Sequence, residues 1–228
     1  ELIEELDDEE GKLLFELFED EDSAEILIEL DDENREVVLE DLTSQEIAEM
    51  LIENLDSDDA ADIIADLPSY KKEEVLAHIE DIDHASDIVD LLSYPENTAG
   101  GLMAKELIHV NDKWSILRCV SEMRKQAEDV DKVYTIYVVD DNRILLGTLS
   151  LKKLLLSPEK NLIKNIYNEK VISVKANFDD EEVANIMDKY DLIVLPVVDD
   201  LNRLIGRITI DDVVDVMKEE AMEDYNKA

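Results

Sequence analysis

The first part of the chain is patterned for short amphipathic helices. Between residues 22 and 92, apolar side chains recur every three or four positions, the spacing that places them on one face of an α-helix. No β-rich sequence interrupts this pattern, which forms these four stripes: Ile47, Met50, Leu51 and Leu55; Ala60, Ile63, Ile64 and Leu67; Val75, Leu76, Ile79 and Ile82; Ala85, Ile88, Val89 and Leu92. The pattern predicts that each stripe is buried against a neighbouring helix.

Residues that favour helix starts separate these stripes. Thr43, Ser57, Ser69 and Asp83 follow one another about every 12 to 14 residues, and Thr43 forms a capping-box pattern with Glu46. Each helix is then roughly ten residues long, which is too short to persist alone in water. We therefore predict an all-α N-terminal domain in which short helices stack into a superhelix.

The second part of the chain contains one pattern twice. Residues 138–150 read VVDDNRILLGTLS and residues 197–209 read VVDDLNRLIGRIT, and the two align at an offset of 59 residues. In each copy, an upstream strand and an amphipathic helix precede two apolar strands joined by an acidic turn. The repeat is therefore predicted to be a βαββα unit, and two copies should pack together because one alone has too small a core.

The charge of the chain narrows its range of partners. It has 61 acidic and 22 basic residues in 228, a formal net charge of −39. Such a surface repels nucleic acids and anionic membranes, and it attracts cations. The charge is concentrated in residues 1–94, which hold 35 acidic and 4 basic side chains. An acidic solubilising surface and a cation-binding surface both fit this distribution.

Two dense groups of carboxylates could bind a hard cation. Asp58, Asp62 and Asp66 share one helix face, and no lysine or arginine within residues 43–70 offsets them. The second group lies in the sequence DDVVDVMKEEAMEDY, residues 211–225. Mg²⁺ takes about six oxygens and keeps several waters, so one or two carboxylates per ion are sufficient. Each acid could equally be a solvated residue or a helix cap.

A glycine pair marks the boundary between the two parts. The sequence SYPENTAGGLM, residues 93–103, places Gly100 beside Gly101 in a chain that has only five glycines. Pro95 should end the preceding helix, because the residue before a proline is disfavoured in the helical conformation. The glycines would then let the backbone turn sharply or approach another segment closely. The predicted divisions are an acidic helical domain over residues 1–94, a junction over 95–103, and the two repeats over 104–160 and 161–228.

These motifs resemble a known family. The repeats resemble a CBS domain pair, in which Gly-x-x-Ser/Thr-x-x-Asp opens a helix, here as Gly206, Thr209 and Asp212. Short acidic helices, then SYPENTAGGLM, then a CBS pair resemble the cytosolic part of MgtE-type magnesium channels. The resemblance covers roughly residues 20–228. It implies an α+β multidomain protein, with an all-α superhelical N-terminal domain followed by a tandem CBS pair.

The resemblance also implies a function and its partners. Mg²⁺ would bridge the acidic surfaces of the N domain and the CBS pair, and the compact state would close an attached transmembrane pore. The chain would form a homodimer through its CBS domains at the cytoplasmic face of the cell membrane. Together with the acidic clusters, the resemblance implies these Mg²⁺-binding residues: Asp58, Asp62, Asp191, Asp212, Asp215, Glu220, Glu223 and Asp224.

Two other functions remain open from the sequence. CBS pairs often bind ATP or another adenine nucleotide, and Thr209 and Asp212 match the residues that hold it, whereas the first repeat has Ser150 but Lys153 in place of the acid. The helical domain could instead be a scaffold for protein partners. An enzyme is disfavoured, because the sequence has no Walker motif, no nucleophile elbow and no His/Cys set with metal-ligand spacing.

Overall fold

The structure is a computed structural model that describes residues 20–28, 30, 32–127, 130, 132–214 and 216–218. The chain divides into two units, Glu1–Ser93 and Tyr94–Ala228, which we call the helical unit and the repeat unit. In the described part of both units, every helix is too short or too polar to cross a lipid bilayer.

Short helices build the described part of the helical unit. They are α1 (Asp20–Ile28), α2 (Asp32–Asp41), α3 (Ser44–Glu46), α4 (Ser57–Asp66), α5 (Ser69–His78) and α6 (Ile82–Leu91). Helix α3 continues as a π-helical turn over Ile47–Leu51 and a 3-10 turn over Ile52–Asn54, an interruption that the apolar spacing did not predict. The prediction of an all-α domain of short helices is confirmed.

Side chains cap two of the helices in this unit, and the Thr43 capping box is confirmed. At α3, the Thr43 hydroxyl accepts from the Glu46 N–H at 3.2 Å, and the Glu46 carboxylate accepts from the Thr43 N–H at 2.8 Å. At α6, the cap is Asp81, which accepts from the Asp83 N–H at 2.8 Å, so the helix begins slightly before the predicted Asp83. These side chains satisfy backbone donors that a helix start leaves without an intrahelical partner.

The apolar stripes form most of the core of the helical unit. Helix α4 packs against α5 and α6, and its whole stripe is buried: Ala60, Ile63, Ile64 and Leu67. The prediction was wrong for two residues of the later stripes, since Ile82 is 80% exposed and Val89 is 53% exposed. Ile82 and Val89 are seven positions apart on α6 and share a face, whereas the buried Ile88 and Leu91 lie on the other side of the helix.

The repeat unit contains the predicted pattern twice. The first repeat comprises β1 (Ile108–Asn111), α7 (Ile116–Gln126), β2 (Ile136–Val139), β3 (Leu145–Leu149) and α8 (Leu151–Leu155). The second comprises β4 (Val174–Lys175), α9 (Asp180–Lys189), β5 (Val194–Val198) and β6 (Leu204–Thr209), followed by helical residues 210–214 and 216–218. Each repeat forms a three-stranded sheet with one parallel and one antiparallel pair, which confirms the βαββα prediction.

The acidic turns between the paired strands are structural. Asp140 accepts from the Asn142 N–H at 2.8 Å, and Asp199 accepts from the Leu201 N–H at 2.9 Å in the equivalent turn. An aspartate that bonds the backbone two residues onward stabilises a turn of this type. The first acid of each VVDD sequence therefore builds the hairpin in both repeats.

The same turns join the two repeats to each other. Arg143 and Asn202 occupy equivalent positions in the left-handed region, with φ of 64° and 63°. Each of their carbonyls accepts a hydrogen bond from the other repeat. The Leu204 N–H donates to the Arg143 carbonyl at 2.9 Å, and the Leu145 N–H donates to the Asn202 carbonyl at 3.0 Å. The internal duplication is thus also a local twofold arrangement of contacts.

Each repeat is completed by a segment that precedes the other repeat. Residues 98–104, which we call the first arm, pack on the second repeat. The Ala99 N–H donates to the Phe178 carbonyl and the Gly100 N–H to the Ala176 carbonyl, each at 2.8 Å. The glycine-rich sequence therefore lies in the repeat unit, and it is part of the second repeat's structure.

Residues 162–168, the second arm, make the equivalent contacts with the first repeat. The Ile163 N–H donates to the Trp114 carbonyl at 2.9 Å, and the Lys164 N–H donates to the Asp112 carbonyl at 2.8 Å. Both arms thus cross over, so neither repeat is complete without the segment that leads into its neighbour.

Gly100 and Gly101 are needed for space. A Cβ atom at Gly100 would lie 2.4 Å from the Tyr94 ring, and one at Gly101 would lie 2.5 Å from the Glu96 carbonyl oxygen. No glycine in the described residues has a positive φ, so close approach, one of the two expected roles, is the one that applies here.

Candidate functional site

The predicted acidic face of the helical unit lies on α4. Asp58 is half-buried in the first turn, where its carboxylate accepts from the Asp59 N–H at 3.0 Å, and Asp62 is exposed one turn later. A carboxylate at this end of a helix is stabilised by the helix dipole. Asp58 therefore stabilises its own helix, while Asp62 faces solvent.

Asp66, the third acid of this face, pairs with a base. Its Oδ2 lies 3.4 Å from Nη1 of Arg35. The absence of lysine and arginine from residues 43–70 does not leave Asp66 without a basic partner, because Arg35 lies outside that window and reaches α4 in the folded unit.

The basic residues of the helical unit have a common structural role. The lysine and arginine side chains in its described part all donate to backbone carbonyls near helix ends: Arg35 to Ile28 at 3.2 Å and Leu30 at 3.0 Å, Lys71 to Leu39 at 2.6 Å, and Lys72 to Ala65. These carbonyls carry the negative end of the helix dipole, which a cation stabilises. Sequence reasoning missed this role; the scarcity of bases in an acidic domain was the only available signal.

Thr209 and Asp212 are brought together at the start of the last described helix. The Asp212 Oδ2 accepts from the Thr209 N–H at 2.7 Å and from its hydroxyl at 3.0 Å. Thr209 is 5% exposed and Asp212 is half-buried. An acid that reaches back to the residue before a helix is half of a capping box, which supports the helix-cap alternative for Asp212.

The environment of Asp212 also changes its protonation. Burial raises the pKa of its carboxyl above the ordinary value, and the hydrogen bonds from Thr209 and the charge of Arg207 oppose that shift. The neighbouring Asp211 adds to the increase. The net direction is upward because a buried charge loses hydration.

This shift predicts a pH dependence of stability. A carboxyl with a raised pKa in the folded state favours folding when protonated, and that contribution is lost as pH rises from about 3.8, its ordinary value, through the folded-state pKa. The Asp212→Asn variant keeps an oxygen acceptor for Thr209 but does not titrate. Its free energy of unfolding should therefore rise relative to the parent protein as urea titrations move from pH 4 to pH 7. A constant difference across that range would contradict the prediction.

The equivalent position of the first repeat has different chemistry. Ser150 caps α8 by accepting from the Lys153 N–H at 3.2 Å. Lys153 occupies the position of Asp212, and its side chain has no acceptor that could return the bond. The first repeat therefore lacks the acid that Asp212 supplies in the second repeat, as the sequence indicated.

Of the remaining predicted cation ligands, one lies within the described residues. Asp191 is exposed in a left-handed turn after α9, with φ of 50°, and its N–H donates to the Asp188 carbonyl at 3.3 Å. The other four lie outside the described residues: Asp215, Glu220, Glu223 and Asp224. Within the repeat unit, the structure brings Thr209 and Asp212 together and leaves Asp191 as a turn residue.

A small cleft between the two repeats contains residues that sequence reasoning missed. It is lined by Tyr137, Tyr134 and Arg207, among others. The Tyr137 hydroxyl is buried without a hydrogen-bond partner among the described residues, and burial raises its pKa. The Arg207 guanidinium lies 5.6 Å from the Tyr134 ring centre, within cation–π range, and donates to the Glu106 carbonyl. No sequence motif marks this group of residues.

Two family models match the chain. The model of the MgtE intracellular N domain matches residues 1–97, and the model of the CBS domain matches residues 99–159 and 163–219. A magnesium transporter MgtE from Thermus thermophilus is 42% identical to this chain over 137 residues, which are 60% of this chain and 30% of the transporter. The chain spans about 30% of the length of the curated relatives it matches.

Solved structures resemble the chain over nearly its whole length. A crystal structure of the soluble part of a magnesium transporter matches with a TM-score of 0.83 and 29% identity, covering 96% of this chain and 86% of that one. The cytosolic domain of the Mg²⁺ channel MgtE in complex with ATP matches with a TM-score of 0.69 and 33% identity, covering 94% of this chain and 92% of that one. These matches confirm the predicted fold. The matched N domain and CBS pair are modules of magnesium transporters, in agreement with the prediction that the chain is not an enzyme.

Proposed function

Since this chain belongs to the MgtE family of magnesium transporters, we propose that it is a cytosolic region that senses Mg²⁺ and regulates a transmembrane pore of the same protein. The observation that carries the proposal is the use of charge in the helical unit. Residues 1–94 hold 35 acidic and 4 basic side chains, and the described bases Arg35, Lys71 and Lys72 are engaged with helix-end carbonyls. The unit therefore keeps a strongly negative surface, which favours cations.

The mechanism is a shift of population between two arrangements. Without cation, the acidic surfaces of the N domain and the CBS pair repel each other. Mg²⁺ shared between Asp58 and Asp62 on one side and acids of the CBS pair on the other favours a compact state, which closes the pore. The CBS-side acids are Asp191, Asp212, Asp215, Glu220, Glu223 and Asp224. Moving the ratio from about 1:99 to 99:1 needs roughly 5.5 kcal/mol of differential binding, which several weak ions supply together.

Compaction by Mg²⁺ tests this function directly. We expect the chain to become more resistant to protease and smaller by X-ray scattering as millimolar MgCl₂ is added. The double variant Asp58→Asn/Asp62→Asn should need severalfold more Mg²⁺ for the same change, because it removes two anionic ligands from α4. The Glu73→Gln variant is the control for loss of a single negative charge, since Glu73 is an exposed acid on α5 outside the predicted site.

Sodium chloride at equal ionic strength separates binding from screening. If protection and size follow ionic strength alone, generic charge screening explains them and the proposed function fails. Glu73→Gln removes one negative charge and the double variant removes two, so a shift in Glu73→Gln of half or more of that in the double variant would assign the effect to net charge and exclude a site on α4.

Nucleotide binding is the second candidate function. The observation that favours it is the similarity to a channel domain solved in complex with ATP, together with Thr209 and Asp212 in the matching motif. Because Thr209 and Asp212 bond each other, a ribose would have to replace the hydroxyl bond of 3.0 Å. Saturable ATP binding by calorimetry that disappears in Asp212→Ala would support this function, and undiminished binding would assign the nucleotide to another place. A scaffold for protein partners remains the alternative if neither ligand binds.

The proposed assembly is a homodimer formed by the CBS pairs at the cytoplasmic face of the membrane. Leu155 and Leu156 at the end of α8 are 68% and 77% exposed, which leaves apolar surface available for a second copy. Sedimentation of the Leu155→Ser/Leu156→Ser variant as a monomer would support this interface.

A further inference from the structure

The two arms of the repeat unit are equivalent in structure but differ in what they connect. Each donates backbone N–H groups to the other half of the pair, at Ala99 and Gly100 in the first arm and at Ile163 and Lys164 in the second. The second arm joins one repeat to the next. The first arm is the covalent continuation of the helical unit, whose last helix ends at Leu91.

The first arm is fixed to the second repeat by Arg207. The Ala104 N–H donates to the Arg207 carbonyl at 2.8 Å, and the Arg207 N–H donates back to Ala104 at 2.9 Å. The Arg207 side chain is buried, at 5% exposure, and its Nε donates to the Glu106 carbonyl just beyond the arm. A buried guanidinium that satisfies a backbone carbonyl is costly to displace.

The first arm packs closely against strand β6. A Cβ atom at Gly206 would lie 2.6 Å from Met103 Sδ and 2.9 Å from the Ala104 carbonyl oxygen. Met103 and Ala104 are both fully buried. Packed interiors transmit small displacements, because they have few voids to absorb them.

We propose that the first arm is a strap through which the helical unit acts on the second repeat. Arg207 lies two residues before Thr209, whose backbone and hydroxyl hold Asp212 at the start of the last described helix. A displacement of the strap therefore changes the backbone position of β6 and of the helix start that follows it. The contacts of the second arm lie outside this route, because that arm joins one repeat to the next and bonds the first repeat at Trp114 and Asp112.

Loosening the covalent link tests the strap without any ligand. An eight-residue Gly-Ser insertion between Ser93 and Tyr94 changes no residue of either unit, and such linkers behave as flexible coils. Amide hydrogen exchange, measured residue by residue in the full chain, is the readout. We expect at least a threefold change in exchange rate at the first-arm donors Ala99, Gly100 and Ala104, and at Arg207.

The second arm is the internal control in the same spectra. Exchange at Ile163, Lys164 and Asn168 should stay within twofold of the parent protein. Unchanged exchange at the first arm would overturn the proposal, and an equal change in both arms would also overturn it, because it would indicate a general loss of stability.

Added MgCl₂ distinguishes this inference from the proposed function. If Mg²⁺ compacts both proteins but alters first-arm exchange only in the parent, both proposals stand. If Mg²⁺ compacts both proteins and first-arm exchange responds equally in the two, the strap is excluded and the sensing function remains. If Mg²⁺ compacts neither protein, the sensing function fails, and the strap is decided by the ligand-free comparison.

Discussion

The Gly147→Ala variant is expected to lose about 4 kcal/mol of folding free energy in the repeat unit. A Cβ atom at Gly147 would lie 2.1 Å from the Asn168 carbonyl oxygen, which belongs to the backbone of the second arm. Relief requires the arm to move, and the paired bonds between Thr148 and Asn168, at 2.9 and 2.8 Å, weaken with it. Such a loss is a large share of the roughly 5–15 kcal/mol that stabilises a typical domain.

The Gly206→Ala variant is the matched comparison, because Gly206 is the equivalent residue of the second repeat. Its added Cβ would lie 2.6 Å from Met103 Sδ and 2.9 Å from the Ala104 carbonyl oxygen, so its approach to backbone is less close than the 2.1 Å approach at Gly147. We expect a loss of about 1–2 kcal/mol, the range for moderate overpacking. Urea unfolding of both variants measures the order directly. Equal losses would show that the two arms are held with equal rigidity, contrary to this expectation.

The Arg35→Met variant is expected to destabilise the helical unit by about 3 kcal/mol, because charge-assisted hydrogen bonds each contribute roughly 1.5–3 kcal/mol and cannot all be replaced by water. Methionine keeps most of the apolar length of the side chain. It leaves the Ile28 and Leu30 carbonyls without the guanidinium, and Asp66 without its partner. The change also raises the net negative charge of a unit that is already strongly acidic.

The Arg35→Lys variant separates charge from geometry. Lysine keeps the positive charge but cannot reach two carbonyls and a carboxylate with one fixed fork. We expect it to recover less than half of the lost stability in thermal unfolding at 0.15 M salt. Full recovery would show that long-range charge alone stabilises the unit, and recovery that grows at low salt would indicate screening of the pair with Asp66.

The repeat unit was predictable because its signals are local and occur twice. The period-two strands, the acidic turns and Gly147 or Gly206 recur at a fixed offset, so each copy supports the interpretation of the other. The turn aspartates Asp140 and Asp199 have the role their position indicated. The helical unit was predictable as a class, because a stripe such as Ala60 to Leu67 can only be buried against another helix.

The missed features depend on residues that are far apart in the sequence. Arg35 and Asp66 are 31 positions apart, and the contact between Lys71 and Leu39 spans 32. Neither pair has a spacing that a helix or strand would reveal. The exposure of Ile82 and Val89 was also hidden, because periodicity identifies an apolar face without showing which of two faces is covered. The candidate cation ligands were proposed from charge density and resemblance, and they remain predictions.

The crossing of the arms has a consequence for how the chain folds as it is synthesised. Ala104 leaves the ribosome about 100 residues before its hydrogen-bond partner Arg207. At a synthesis rate of roughly 5–20 residues per second, Arg207 follows on the order of 5–20 s later. During that time Ala99 and Met103, which are fully buried in the folded protein, lack the part of the second repeat that has not yet been synthesised. The hydrogen bonds described within the helical unit join residues that all leave the ribosome before Arg207, so this unit can form earlier. We expect the nascent chain at this stage to carry an acidic domain beside an unpaired apolar segment, and we expect the negative charge of that domain to disfavour association between chains until the second repeat is complete.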